Sequence, residues 1–300
     1  MASSLEYTLH QYGAHELQRV GVWDLDIADK TKYWIVFIHG GAWRDPRVSH
    51  EVFASSISRI LESSDSIPTT TTTSSSSVAK SSIAAFASID YRLSPHPDFP
   101  QDPASTPKDR LRDARHPDHL DDVRAALAFL QRRFGFGARY VLLGHSAGGC
   151  LAYQLLATAP PSGSSAGEAG KEAQLPEAVL GVEGIYDMTG LNARVGGSYA
   201  EFLSAAFGPL EDWDEAAPMK FAGRYGDRFK GLAVLAHSPD DELVDMPETE
   251  GMAERLSGDL GAEKVLVFKD LEGTHDQIVE DGGGIARTVL SILTILRDGD

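Results

Sequence analysis

The sequence predicts an α/β fold with a mostly parallel central sheet and helices on both faces. Two observations carry this. Short apolar runs rich in β-branched and aromatic residues recur along the chain, and the segments between them space their apolar residues as helices do. Such strand–helix alternation requires a sheet covered on both sides. At 300 residues and 42% hydrophobic content, one domain spanning residues 1–300 can bury a substantial core.

The elements follow in order. "LQRVGVWDL", Leu17 to Leu25, alternates apolar and polar residues and reads as an early antiparallel strand. Tyr33 to Ile38 is a continuous apolar run stopped by His39-Gly40-Gly41, as a doubly covered strand would be. "IAAFASID" from Ile83, "YVLLG" from Tyr140, "AVLGVEGI" from Ala178, "GLAVLAH" from Gly231 and "KVLVFKD" from Lys264 repeat that pattern and read as buried strands. Leu120, Val123, Leu127, Leu130 and Phe134 recur at spacings of three and four, and "GIARTVLSILTILRDG" is helical throughout. Ser63–Ser82 and Pro160–Ala173 carry too little apolar surface to offset ordering entropy, so both read as surface insertions. The strand–helix alternation resumes unchanged after each.

Composition excludes several classes. A net charge of −17 leaves no basic field for a phosphate backbone, so no nucleic-acid partner is expected. No basic segment followed by an apolar stretch opens the chain, and no run of membrane-spanning length occurs, so the expectation is a cytoplasmic protein without a membrane partner. Cys150 is the single cysteine and reads as a packed core residue, which excludes an intrachain disulfide and a cysteine-based zinc site. "RHPDHLDDV" offers His116, His119 and Asp118 as metal ligands. Pro117 at a helix start, with Asp118, Asp121 and Asp122 near the positive dipole end, accounts for them better.

The chemistry concentrates in four short stretches. Gly144-His145-Ser146-Ala147-Gly148 matches G-x-S-x-G, follows a strand and precedes a helical run, the context that aims a serine Oγ out of a sheet's edge. The glycines are required because a Cβ beside that strained turn would clash. "HGGAW", His39 to Trp43, follows an earlier strand and resembles the oxyanion loop of lipases and esterases, giving the N–H groups of Gly41, Ala42 and Ala147 as oxyanion donors. Beyond Ser146 the histidines are only His237 and His275. His275, in the glycine-containing "EGTHD" between a strand and the last helix, stands where a base is expected. "HSPDDELVD" offers Asp240, Asp241, Glu242 and Asp245 as the orienting acid. Asp241 is selected with Asp240 its main competitor, and Asp245 reads as a helix-end carboxylate.

With "HGGAW", "GHSAGG", "DDEL" and "EGTHD" in this order, the chain resembles the α/β-hydrolase superfamily, in particular its hormone-sensitive-lipase-like and esterase members, over nearly its whole length. "HGGAWRDP", "DYRLSPH", "RHPDHLDDV", "GVEGIYD" and "HSPDDEL" are similar to the fungal type of kynurenine formamidase. The resemblance implies hydrolysis of N-formyl-L-kynurenine to L-kynurenine and formate, in tryptophan breakdown towards NAD precursors. It places Ser146, Asp241 and His275 on the triad positions, implies no metal or organic cofactor, and suggests a homodimer. The insertion at Ser63–Ser82 departs from that family.

A small molecule with an aromatic ring and a charged amino-acid end calls for aromatic walls and a cation, and Trp43, Arg44 and Tyr199 are the candidates. Trp43 reads equally well as a packed residue, and Arg44 as a surface ion-pair partner. The competing functions are a general carboxylesterase on the same scaffold and a non-catalytic ligand-binding protein.

Overall fold

The computed structural model describes residues 5–62, 81–158 and 173–298. Apart from Ser81, Ser82 and Ala173, the two expected insertions lie outside these residues.

Eight strands form one sheet in the order β1-β2-β4-β3-β5-β6-β7-β8. They are β1 (Glu6–Gln11), β2 (Arg19–Asp24), β3 (Tyr33–Ile38), β4 (Ile83–Ile89), β5 (Tyr140–His145), β6 (Ala178–Val182), β7 (Leu232–Ala236) and β8 (Val265–Phe268). β2 pairs antiparallel with both β1 and β4, and every pairing from β4 through β8 is parallel. The apolar runs are continuous because successive residues feed two different cores. Trp34, Val36 and Ile38 of β3 join the core containing Val123 and Leu127 of helix Asp118–Phe134. Tyr33, Ile35 and Phe37 join the core containing Ile57 of helix Ala54–Glu62 and Val289 of helix Gly283–Asp298. From β2 through β8 the mostly parallel sheet thus carries an apolar core on each face.

Four sequence expectations need amendment. β1 was not expected: "EYTLHQ" is almost wholly exposed and is a strand only by its pairing with β2. "KVLVFKD" is not a buried strand, because β8 closes the sheet's edge and Val267 is 38% exposed. "AVLGVEGI" ends as a strand at Val182, since Glu183 takes φ +51 and turns the chain. Asp122 does more than face a helix dipole. It is buried and accepts from the Arg92 backbone N–H at 2.9 Å and from its guanidinium at 2.8 Å, fastening "DYRLSPH" to the helix.

His116 and His119 also serve the packing. His119 is fully buried with Nε2 3.0 Å from Ser94 Oγ, and burial pushes its pKa down to about 3. The His116 ring lies 5.5 Å from that of Phe207. No helix among the described residues is long and apolar enough to cross a membrane.

Candidate active site

The parallel strands deliver their C-terminal ends to one edge of the sheet, and the four motifs meet there. Ser146 joins β5 to helix Ala147–Ala157 with φ 55 and ψ −120, a conformation costly for a residue with a Cβ. Its N–H donates to Val182 O at 2.9 Å and its carbonyl accepts from Gly149 N at 2.9 Å, so the turn is held from both sides. The flanking glycines are sterically required: a Cβ on Gly144 would lie 2.1 Å from Gly148 O, and one on Gly148 2.1 Å from Ile38 O.

His275 lies on the loop after β8, 4% exposed, and its Nδ1 donates to Asp241 Oδ2 at 2.8 Å. The Asp241 side chain is wholly buried, whereas Asp240 is exposed, and this decides between the two. Asp241 Oδ1 accepts from the N–H groups of Leu243 and Val244, both at 2.9 Å, which fixes the carboxylate plane. Glu242 Oε2 accepts the His275 N–H at 3.1 Å, and Asp245 pairs with Arg194. His237 supports the loop carrying the acid: Nε2 donates to Val244 O at 2.9 Å while Nδ1 accepts from Thr249 Oγ1 at 2.7 Å. His275, held by Asp241 through Nδ1, keeps Nε2 as its proton-exchanging nitrogen. His145 is neutral, its pKa driven down by burial, and donates from Nε2 to the His275 carbonyl at 3.1 Å.

The loop after β3 turns through three successive residues in the left-handed region, Gly41 (φ 84), Ala42 (φ 48) and Trp43 (φ 59). Tyr91 OH and His39 Nδ1 donate to the Gly40 carbonyl at 3.0 and 2.9 Å. Because the peptide is planar and trans, pinning that oxygen directs the Gly41 N–H the opposite way. Among the described residues no backbone carbonyl accepts from the N–H of Gly41 or Ala42. The N–H of Ala147, first residue of its helix, has no intrahelical partner either.

Gly41, Ala42, Ser146 and His275 all line a cavity of about 840 Å³. Arg44 and Tyr199 line it too. Arg44 pairs with Glu201 at 2.9 Å and lies 5.6 Å above the Phe202 ring, while Tyr199 OH donates to Leu243 O at 2.7 Å. Trp43 does not line the cavity. It is 0% exposed and packs edge-on against Phe207, because its positive φ swings the side chain into the core, so the expected pocket contact is corrected to a packing role.

Comparison with known proteins decides the family. A kynurenine formamidase of Aspergillus versicolor is 34% identical over 275 residues, covering 85% of this chain and 86% of the relative. A kynurenine formamidase-like hydrolase of Fusarium equiseti is 35% identical over 276 residues, covering 89% and 84%. The chain belongs to the kynurenine formamidase family. Another of that name, from Meyerozyma guilliermondii, is 29% identical over 279 residues, covering 90% and 87%. No protein-family model matches the chain. Among solved structures, a truncated carbohydrate esterase from gut microbiota superposes with a TM-score of 0.67 at 17% identity, covering 98% of this chain and 99% of that one. A hormone-sensitive lipase from a metagenome library gives 0.61 at 18%, covering 99% and 87%. These two share its fold.

Sequence reasoning missed one polar residue of this formamidase-family site. Glu183, at the turn after β6, is 0% exposed, and its Oε2 lies 3.5 Å from both His145 Nε2 and His275 Nδ1. A carboxylate between glycines in the apolar "AVLGVEGI" was the available signal. His145, Glu183 and His275 bring three donor atoms within 4.8 Å of one another. Since Asp241 already engages Nδ1 of His275, the cluster is read as a proton-handling network and not as a metal site.

Proposed function

We propose that this chain hydrolyses N-formyl-L-kynurenine to L-kynurenine and formate, with Ser146 as nucleophile, His275 as general base and acid, and Asp241 as orienting acid. The observation that carries the chemistry is the 2.8 Å Asp241–His275 contact beside a strained serine in one cavity. The family carries the substrate.

Ser146 Oγ attacks the formyl carbon while His275 Nε2 accepts its proton. The oxyanion forms against the N–H groups of Gly41, Ala42 and Ala147. His275 returns the proton to the departing arylamine nitrogen, which leaves as kynurenine, and then activates water to release formate from the formyl-serine. Early protonation matters because an amide nitrogen leaves poorly as an anion. Arg44 supplies a cation for the substrate carboxylate, with Tyr199 and Phe202 beside the aryl ring. A cytoplasmic setting is part of the same reading and suits a chain whose one cysteine is buried.

The test is liquid chromatography of N-formylkynurenine incubated with the wild type and with Ser146→Ala, alongside short p-nitrophenyl esters. Formate and kynurenine from the wild type alone are expected. Strong ester turnover with none of the formamide would replace this reading with a general carboxylesterase.

A further inference from the structure

The turn after β6 presents a second carboxyl to the imidazole that Asp241 holds. Glu183 Oε2 stands 3.5 Å from His275 Nδ1, against 2.8 Å for Asp241 Oδ2. The side chain is wholly buried, Oε1 accepts from Ser238 N at 3.1 Å, and Oε2 has no hydrogen-bond partner among the described residues. Glu183 is aimed there by a left-handed backbone, φ +51, that a residue with a Cβ adopts at a cost. Native proteins rarely leave a buried carboxyl oxygen unpaired, and a role in the site's chemistry is one of the few reasons to do so.

We propose that Glu183 is a second positioning residue for His275, and that Asp241 and Glu183 hold Nδ1 as a pair carrying one negative charge between them. The inference rests on the reading of His275 as the base of Ser146. Two buried carboxyls at one nitrogen do not both ionise readily, and the proton resides on Glu183. Burial first, and the Asp241 charge second, push its carboxyl up to about 9, with Glu242 and Asp276 adding to the rise and the Ser238 N–H opposing it. The titratable groups facing it are His145 from the end of β5, Asp241 and Glu242 after β7, and His275 and Asp276 after β8, with His237 packed behind Asp241.

In the resting protein Asp241 is the acceptor and Glu183 stands neutral beside it. When His275 takes the Ser146 proton, its Nδ1–H faces one carboxylate and one carboxylic acid, so a single negative charge balances the imidazolium. Replacing Asp241 removes a charge that keeps Glu183 protonated. Glu183 then gives its proton to solvent at lower pH, and its carboxylate accepts the Nδ1–H.

The experiment compares Asp241→Ala, Glu183→Gln and the double variant by the rate at which a fluorophosphonate probe labels Ser146, across about pH 6 to 9.5. Thermal melts show which variants fold. Asp241→Ala is expected to label at least about 10-fold faster than the double variant at high pH, with a rate that rises as pH rises. Glu183→Gln alone is expected to slow labelling several-fold. Equal rates for Asp241→Ala and the double variant overturn the proposal.

If Glu183→Gln does not fold, the pH profile of Asp241→Ala decides alone, and a flat profile overturns the proposal. If Asp241→Ala does not fold, Asp241→Asn, which keeps an acceptor for the Leu243 and Val244 N–H groups, takes its place under the same criteria. The probe needs no formamide, so a protein inactive on N-formylkynurenine leaves this test standing. A wild type unlabelled at Ser146 overturns the nucleophile itself, and Glu183's role with it.

Discussion

His145 precedes the serine in sequence, yet its imidazole Nε2 grips the backbone of His275 through a 3.1 Å hydrogen bond to the carbonyl, and the two rings stand 4.6 Å apart. The nucleophile's turn and the base's loop are thereby joined directly. His145→Leu leaves a nearly buried carbonyl unpaired, at a cost of about 1–3 kcal/mol in urea unfolding, together with a fall in kcat that exceeds any change in KM. Unchanged kinetics and stability would show that the link is idle.

The hydroxyl of Tyr91 acts on the oxyanion loop without touching substrate. It donates to His39 O at 3.1 Å and to Gly40 O at 3.0 Å. Tyr91→Phe leaves the Gly40 carbonyl to His39 Nδ1 alone, loosening the Gly40–Gly41 peptide, and is expected to lower kcat with KM held. The loss should stay below the roughly 3–4 kcal/mol that a whole oxyanion donor contributes. Steady-state kinetics on the formamide decide it; a change in KM alone would contradict the assignment.

Two glycines should respond in opposite directions to alanine. At Gly148 the added methyl meets Ile38 O at 2.1 Å and His39 O at 2.7 Å, so helix Ala147–Ala157 must lift from β3, costing about 1–3 kcal/mol or more. Gly258, inside helix Met246–Leu260, has nothing within 4 Å of that position among the described residues, and Gly258→Ala is expected to stabilise by about 0.5–1 kcal/mol. Denaturant melts of both variants would test the pair.

Arg44 should separate substrates. Arg44→Ala removes the cation expected at the substrate carboxylate, raising KM for N-formylkynurenine about 10-fold or more while leaving p-nitrophenyl acetate, which lacks a carboxylate, little affected. An equal effect on both would assign Arg44 to the cavity's shape alone.

Glu183 also imposes a pH dependence on stability. Its folded carboxyl, raised to about 9, binds a proton that the unfolded chain has released, so folding takes up a proton between the two values. Stability from this group is therefore lost as pH rises through that window. Glu183→Gln removes the loss, and its melting temperature relative to wild type should be higher near pH 8 than near pH 5. A constant difference would place the folded and unfolded values together.

Much of this was legible in the chain because it depends on local pattern. The runs at Tyr33 and Tyr140 are apolar on both faces, which only a covered parallel strand requires, and G-x-S-x-G announces its own turn. Asp241 could not be separated from Asp240 by pattern, since which of two adjacent carboxylates turns inward is set by the Leu243 and Val244 N–H groups. Trp43 was half-read: its side depends on a positive φ that no local propensity favours. Glu183 stayed hidden because the burial of that carboxyl is created by loops from three other strands closing over it.

The opposed directions of Trp43 and Arg44 have a consequence for how such a site can change. One residue anchors the loop in the core and the next faces the cavity, so the peptide carrying Gly41 and Ala42 is clamped independently of whatever side chain stands at position 44. Recognition can be redrawn there without redrawing the chemistry. A library varied at Arg44 and Tyr199, with Trp43 untouched, would exchange leaving-group preference on an unaltered acyl-transfer engine.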